Sequence, residues 1–110
     1  MRKEITSRKA PIEGTGTVTI PAVFCKKAGI KLGHFTWVID DDEIAIVITK
    51  DFSGYESCER ERCLLDAFGK LELPAKYLRR LEIDENQEIV ISLSHDGSEI
   101  EIETFCTALF

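Results

Sequence analysis

Two stretches of this 110-residue chain share one order of residues at an offset of 53. GTGTVTIPAVFCKKAGI begins at Gly14, and AFGKLELPAKYLRRLEI begins at Ala67. The offset lays Gly16 on Gly69, Val18 on Leu71, Ile20 on Leu73, Pro21 on Pro74, Ala22 on Ala75 and Ile30 on Ile83. The shared order is glycine, apolar alternation, proline, a basic helix-like segment and isoleucine. A repeat of this size implies one supersecondary unit built twice. A single copy, with few strands and one short helix, cannot bury its apolar face alone. Two copies that close a small barrel-like sheet share one core and remove exposed strand edges.

The local pattern defines the unit. Thr17-Val18-Thr19-Ile20 and Lys70-Leu71-Glu72-Leu73 alternate polar and apolar residues, as half-buried strands do. Each runs into a proline, which opens a helix without losing a hydrogen bond. The spacing predicts helices over Ala22–Ala28 and Ala75–Leu81. Gly29 supplies a left-handed stop to the first, and Glu82 stands at that place in the second. A hairpin follows each helix. In the first, His34–Ile39 is the outgoing strand, Asp40-Asp41-Asp42 the turn, and Ile44, Ile46 and Ile48 the apolar face of the return. In the second, Glu88–Leu93 leads to an Asp96-Gly97 turn. There Ile100 and Ile102 alternate with Glu99, Glu101 and Glu103, giving one buried face and one acidic face. Phe35, Trp37 and Ile39 share a strand face, and core packing is the default for such aromatics. The chain reads as a single domain, 1–110, with repeats at about 1–50 and 54–104, a joint at Ser53-Gly54 and an apolar tail at 105–110. The fold class expected is mainly β with short helices.

Hydrophobic residues make up 44% of the chain, enough for a core and too many for global disorder. No apolar run approaches the roughly 18 residues a membrane helix needs. The start, Met1-Arg2-Lys3-Glu4, has no secretory apolar stretch. A cytoplasmic protein with no membrane partner is therefore expected. Net charge is −6, but it is unevenly spread. Residues 1–39 hold seven Lys/Arg against two acids, a balance of +5, and residues 51–110 hold six against fourteen, a balance of −8. Such polarity implies a charged partner at the basic pole.

Cys25, Cys58, Cys63 and Cys106 form no paired C-x-x-C units, so they read as free, apolar side chains rather than zinc ligands. His34 and His95 both fall in or beside hairpin turns. No nucleophile–base–orienter set and no phosphate-cradling glycine loop is present, so neither an enzyme nor a small-molecule substrate is expected.

The doubled motif resembles the DNA-binding unit of the AbrB/MazE/SpoVT group, the swapped-hairpin β-barrel proteins. The residues carrying the likeness are G-T-V-T-I-P-A-V-F-C-K-K-A-G-I-K-L-G and G-K-L-E-L-P-A-K-Y-L-R-R-L-E-I, within about residues 12–48 and 65–103. Two copies in one chain are similar to the tandem MraZ arrangement. Asp66-Ala67-Phe68-Gly69-Lys70 is close to that family's Asp-x-x-x-Arg signature, with Lys70 replacing arginine; in the first copy Thr17 carries no charge. The resemblance implies an AbrB-like β-barrel made of two strand–helix–hairpin repeats, with no cofactor. It also implies a transcriptional regulator that contacts duplex DNA and assembles as a homo-oligomer. Lys76, Arg79 and Arg80 stand at i, i+3 and i+4, on one helix face. Lys26 and Lys27 match Arg79 and Arg80 across the repeat. With Lys70 and an N-terminal arm bearing Arg2, Lys3, Arg8 and Lys9, these are the candidate phosphate contacts. The C-terminal tail is a candidate subunit contact. The alternative is a protein-interaction module on the same fold, antitoxin-like or regulatory, with weak or no DNA binding.

Overall fold

The computed structural model describes residues 7–14, 16–41, 45–83 and 88–104, with residues 7–11 described by backbone path alone. Its elements are β1 (Ser7–Pro11), β2 (Thr17–Thr19), α1 (Ala22–Ala28), β3 (His34–Asp41), β4 (Ala45–Thr49), β5 (Glu59–Leu65), β6 (Lys70–Glu72), α2 (Ala75–Arg80), β7 (Glu88–Leu93) and β8 (Ile100–Thr104). The fold is mainly β, with two short helices.

All the pairings are antiparallel, in the order β1-β7-β8-β4-β3-β5-β6-β2. A single bridge from Glu13 to Thr17 ties the chain leaving β1 to the start of β2 across a tight turn. The β3–β4 hairpin lies between β5 and β8, and the β7–β8 hairpin lies between β1 and β4. The registers match at the same offset. Ser7 faces Ser92 across β1 and β7, and Arg60 faces Ile39 across β5 and β3. Val18 faces Leu71 across the β2–β6 pair.

The core lies inside this sheet. Val18, Leu71, Ile46, Ile48, Ile100 and Ile102 are buried on it, with Phe24 and Tyr77 filling the ends beneath the helices. Full burial of an aliphatic side chain of this size contributes about 1.5–3 kcal/mol. Alternation accounts for the strand faces: Thr19 and Glu72 point out while Val18 and Leu71 point in.

Both helices end in the same left-handed step. Gly29 has φ +71, and Glu82, at the matching position, has φ +57. The next amide then closes the turn in each, Ile30 N–H to the Cys25 carbonyl and Ile83 N–H to the Leu78 carbonyl, both at 2.9 Å. α2 stops at Arg80, one residue before the expected end, because Leu81 is its cap.

Three expectations need correction. Asp40 and Asp41 belong to β3 rather than to a turn, since the ladder to β4 and β5 carries the strand through Asp40. Arg8 and Lys9 lie in β1, opposite Ile91 and Val90, so this part of the N-terminal arm is a paired strand. Phe35 is not in the core; it is 59% exposed. The expected place of Ile44 in the return strand, the N-terminal Arg2 and Lys3, and the 105–110 tail with Cys106 lie outside the described residues.

Candidate nucleic-acid interface

β2 and β6 form one two-stranded ribbon, and each runs through a proline into its helix, so α1 and α2 leave opposite ends of that ribbon. Pro21 and Pro74 have nearly the same conformation, with φ near −57 and −58. α1 turns Phe24, Cys25 and Ala28 inward, and α2 turns Tyr77 and Leu78 inward. That leaves Lys26 and Lys27 exposed in the last turn of α1, and Arg79 and Arg80 exposed in the last turn of α2. Cations there also suit the negative end of the helix dipole.

Arg80, in the α2 pair, is surrounded by carboxylates. Arg80 donates to both oxygens of Glu59, at 3.1 and 3.3 Å, and to the buried carboxylate of Asp40. The hydrogen bonds to Glu59 and Asp40 push the Arg80 guanidinium above its ordinary value, and the same contact lowers Glu59. Lys76 lies 3.4 Å from Glu59 and 4.0 Å from Glu61. The i, i+4 pair thus shares one face as the spacing predicts, but that face turns to β5 carboxylates. Beneath it, burial pushes the Tyr77 hydroxyl up to about 12, with Glu61, Glu59 and Asp40 adding to the shift. Arg79 is exposed and forms no ion pair among the described residues.

Lys70 is also set among acids. It lines a cleft of about 570 Å³ together with Glu61, Asp66 and Glu72. Asp66 Oδ1 accepts the Phe68 and Lys70 amides at 2.8 and 2.9 Å, which fixes the turn before β6. A phosphate near Lys70 would meet three carboxylates.

The α1 side has the opposite character. A second cleft, of about 350 Å³, is lined by Lys31, His34, Lys50 and Arg62 beside Phe35 and Trp37, with no carboxylate among its described residues. The linear motif does not reveal Lys50 and Arg62 as partners of this end. Arg62 arrives through the β3–β5 register, directly opposite Trp37, and Lys50 follows the last residue of β4. The signal for both is the strand pairing, which joins residues far apart in the chain.

The acidic face of the second hairpin is half-buried rather than fully solvated. Tyr55 donates its hydroxyl to Glu99 at 2.8 Å. Burial raises Glu101, with Glu103, Glu99 and Asp41 adding repulsion. Cys25 is buried, and Cys58 and Cys63 are half-buried, as small apolar side chains would be. No group of metal-ligating side chains occurs among the described residues, and none of the described helices is long and apolar enough to cross a membrane.

The sequence matches no protein-family model and no curated protein.

Proposed function

We propose that the chain is a DNA-binding transcriptional regulator built as a tandem swapped-hairpin barrel of the AbrB-like type. The placement of each hairpin between strands of the other half supports the architecture. The observation that carries the function is the pair of helices leaving opposite ends of one ribbon, each with two cations in its last turn. Lys26, Lys27 and Arg79 are the residues assigned to phosphate contact. Arg80 and Lys76 are assigned to holding α2 against β5, because their charges are already matched by Glu59, Glu61 and Asp40. Regulation then proceeds by occupancy of a promoter-like site, with no cofactor and with several copies engaging repeated half-sites.

Duplex binding of this kind must weaken steeply as salt rises, because each neutralised phosphate releases counterions. Fluorescence anisotropy with a random-sequence duplex over a salt series measures the slope. Replacing Lys26, Lys27 and Arg79 together by alanine should flatten it by about one unit for each phosphate left unneutralised. Salt-independent binding, or no binding at low salt, overturns the reading.

A second reading is a protein-interaction module on the same fold. It is favoured by the exposed apolar side chains Phe35, Leu64 and Phe68, the last 82% exposed, and by the internal neutralisation of α2. Retention of one specific protein without DNA would decide for it.

A further inference from the structure

The carboxylate-free cleft beside α1 has a composition unlike the rest of this acidic chain. Lys31, Lys50 and Arg62 converge there with His34, and these three cations form no salt bridge among the described residues. Like charges gathered in a concavity repel one another unless an anion is present. Two features build the site beyond charge. Lys50 lies across Gly29: a Cβ at that glycine would fall 2.7 Å from Lys50 Nζ, so the absence of a side chain makes room for the lysine. Arg62 lies over the Phe35 ring at 5.3 Å from its centroid, so the guanidinium is oriented on an aromatic plane at the mouth of the cleft.

The aromatic members bring a second kind of recognition. Phe35 and Trp37 share a face of β3 and flank the same cleft. Trp37 is braced edge-on by Phe52, with ring centroids 4.9 Å apart. Arg62 lies over one face of Phe35 and Arg60 lies 5.9 Å from the Trp37 centroid, so a planar ring would stack on the ring faces these guanidiniums leave open, as bases do on aromatic side chains. Duplex DNA keeps its bases paired and out of reach of a stacking surface of this kind, so the cleft asks for a ligand whose ring is free.

The second half of the chain has no equivalent. At the offset of 53, Gly29 becomes Glu82, Lys31 becomes Asp84, Phe35 becomes Glu88 and Trp37 becomes Val90. Lys50 becomes Glu103, while Arg62 falls on Lys9, so the aromatics and two of the three cations are a property of one copy and only Arg62 has a basic counterpart.

We propose that this cleft binds a free mononucleotide, with its phosphate held by Lys31, Lys50 and Arg62 and its base against Phe35 and Trp37. Its volume falls within the range of small-molecule sites. It is a binding site for an effector, separate from the helix cations assigned to DNA, and no bond is made or broken in it.

Trp37 is the only tryptophan in the chain, so its fluorescence reports directly on occupancy. The full-length protein is titrated with a nucleoside 5′-monophosphate, the matching nucleoside, inorganic phosphate and a short single-stranded oligonucleotide. The monophosphate should quench or shift Trp37 emission saturably. The nucleoside should not do so over the same range, and inorganic phosphate should compete without matching the monophosphate's affinity. Lys50→Met and Arg62→Met should each weaken binding about tenfold, the effect of removing one charge-assisted hydrogen bond. Their thermal transitions establish that both variants are folded. Lys26→Ala and Arg79→Ala should leave the titration unchanged, which separates this site from the duplex contacts. No saturable response to the monophosphate, a response undiminished in folded Lys50→Met and Arg62→Met, or a response to the oligonucleotide alone overturns the proposal.

Discussion

The backbone N–H of Ile20 donates to the carbonyl of Gly69 at 2.8 Å. At the same offset in the other direction, Leu73 N–H donates to the Gly16 carbonyl at 2.9 Å. Each half of the chain thus hands the amide just before its proline to the glycine that opens the other half's strand. The reciprocal bonds lock the two ends of the β2–β6 ribbon, and with them the starting points of both helices.

Gly69 cannot be replaced at that contact. Its φ is +83, and a Cβ there would stand 2.7 Å from the Ile20 carbonyl oxygen, a backbone atom with no freedom to retreat. Gly69→Ala should lower stability by about 2–4 kcal/mol, combining left-handed strain with overpacking. Gly97 is the control, because its φ is +76 but a Cβ would meet nothing within 4 Å. Gly97→Ala should cost only about 1 kcal/mol, the conformational part alone. Denaturant unfolding of both variants measures the difference; equal losses would show that the close approach to Ile20 carries no energy.

The ends of the two helices yield a change of the opposite sign. Glu82 adopts φ +57 where Gly29 adopts φ +71, and both steps are closed by the same kind of hydrogen bond. The glutamate bears a Cβ penalty that glycine avoids. Glu82→Gly should stabilise the protein by about 1 kcal/mol, and Gly29→Ala should destabilise it by at least that much, because its Cβ would also displace the Lys50 ammonium 2.7 Å away. Thermal or chemical unfolding reads both, and a neutral or destabilising Glu82→Gly would mean that the glutamate side chain compensates in the folded state.

These positions also show how far the sequence is legible. Local periodicity predicts β2, β6, both helices and β7, because each depends on alternation or on a proline and its neighbours. Gly29 and Glu82 align by offset alone, and the common backbone follows from the shared turn. Asp40 misleads, since three consecutive aspartates read as a turn. Its placement in β3 is set by pairing with β4 and β5, and its carboxylate is matched by Arg80, forty residues away in sequence. Arg8 and Lys9 mislead for the same reason: their strand exists only through β7. The candidate helix cations are visible as a motif, but what neutralises two of them is not. Glu59, Glu61, Lys50 and Arg62 reach their sites through registers between distant strands, information that no single stretch of the chain contains.

Arg80 should therefore behave as a structural residue, in contrast to its neighbour Arg79. Asp40 is 6% exposed, and its Oδ1 has no hydrogen-bond partner among the described residues, so Arg80 at Oδ2 is the cation that offsets its charge. Removing one partner of such a pair leaves a buried charge uncompensated. Arg80→Met should lower the melting temperature at neutral pH clearly more than Arg79→Met does. The pH dependence separates this from lost packing. Hydrogen bonding to Arg80 depresses the folded pKa of Glu59 below its ordinary value of 4.5. A depressed carboxylate contributes stability that is present above the unfolded value and lost as pH falls through the lower folded one. The wild type should thus lose stability on acidification below about 4.5, and Arg80→Met should lose less over that interval, because its glutamate titrates nearer the unfolded value. Thermal melts from neutral pH down through the acid limb test both parts. Parallel pH profiles for the wild type and Arg80→Met, or equal melting temperatures for the two arginine variants at neutral pH, would show that the pairing with Asp40 and Glu59 does not hold α2 in place.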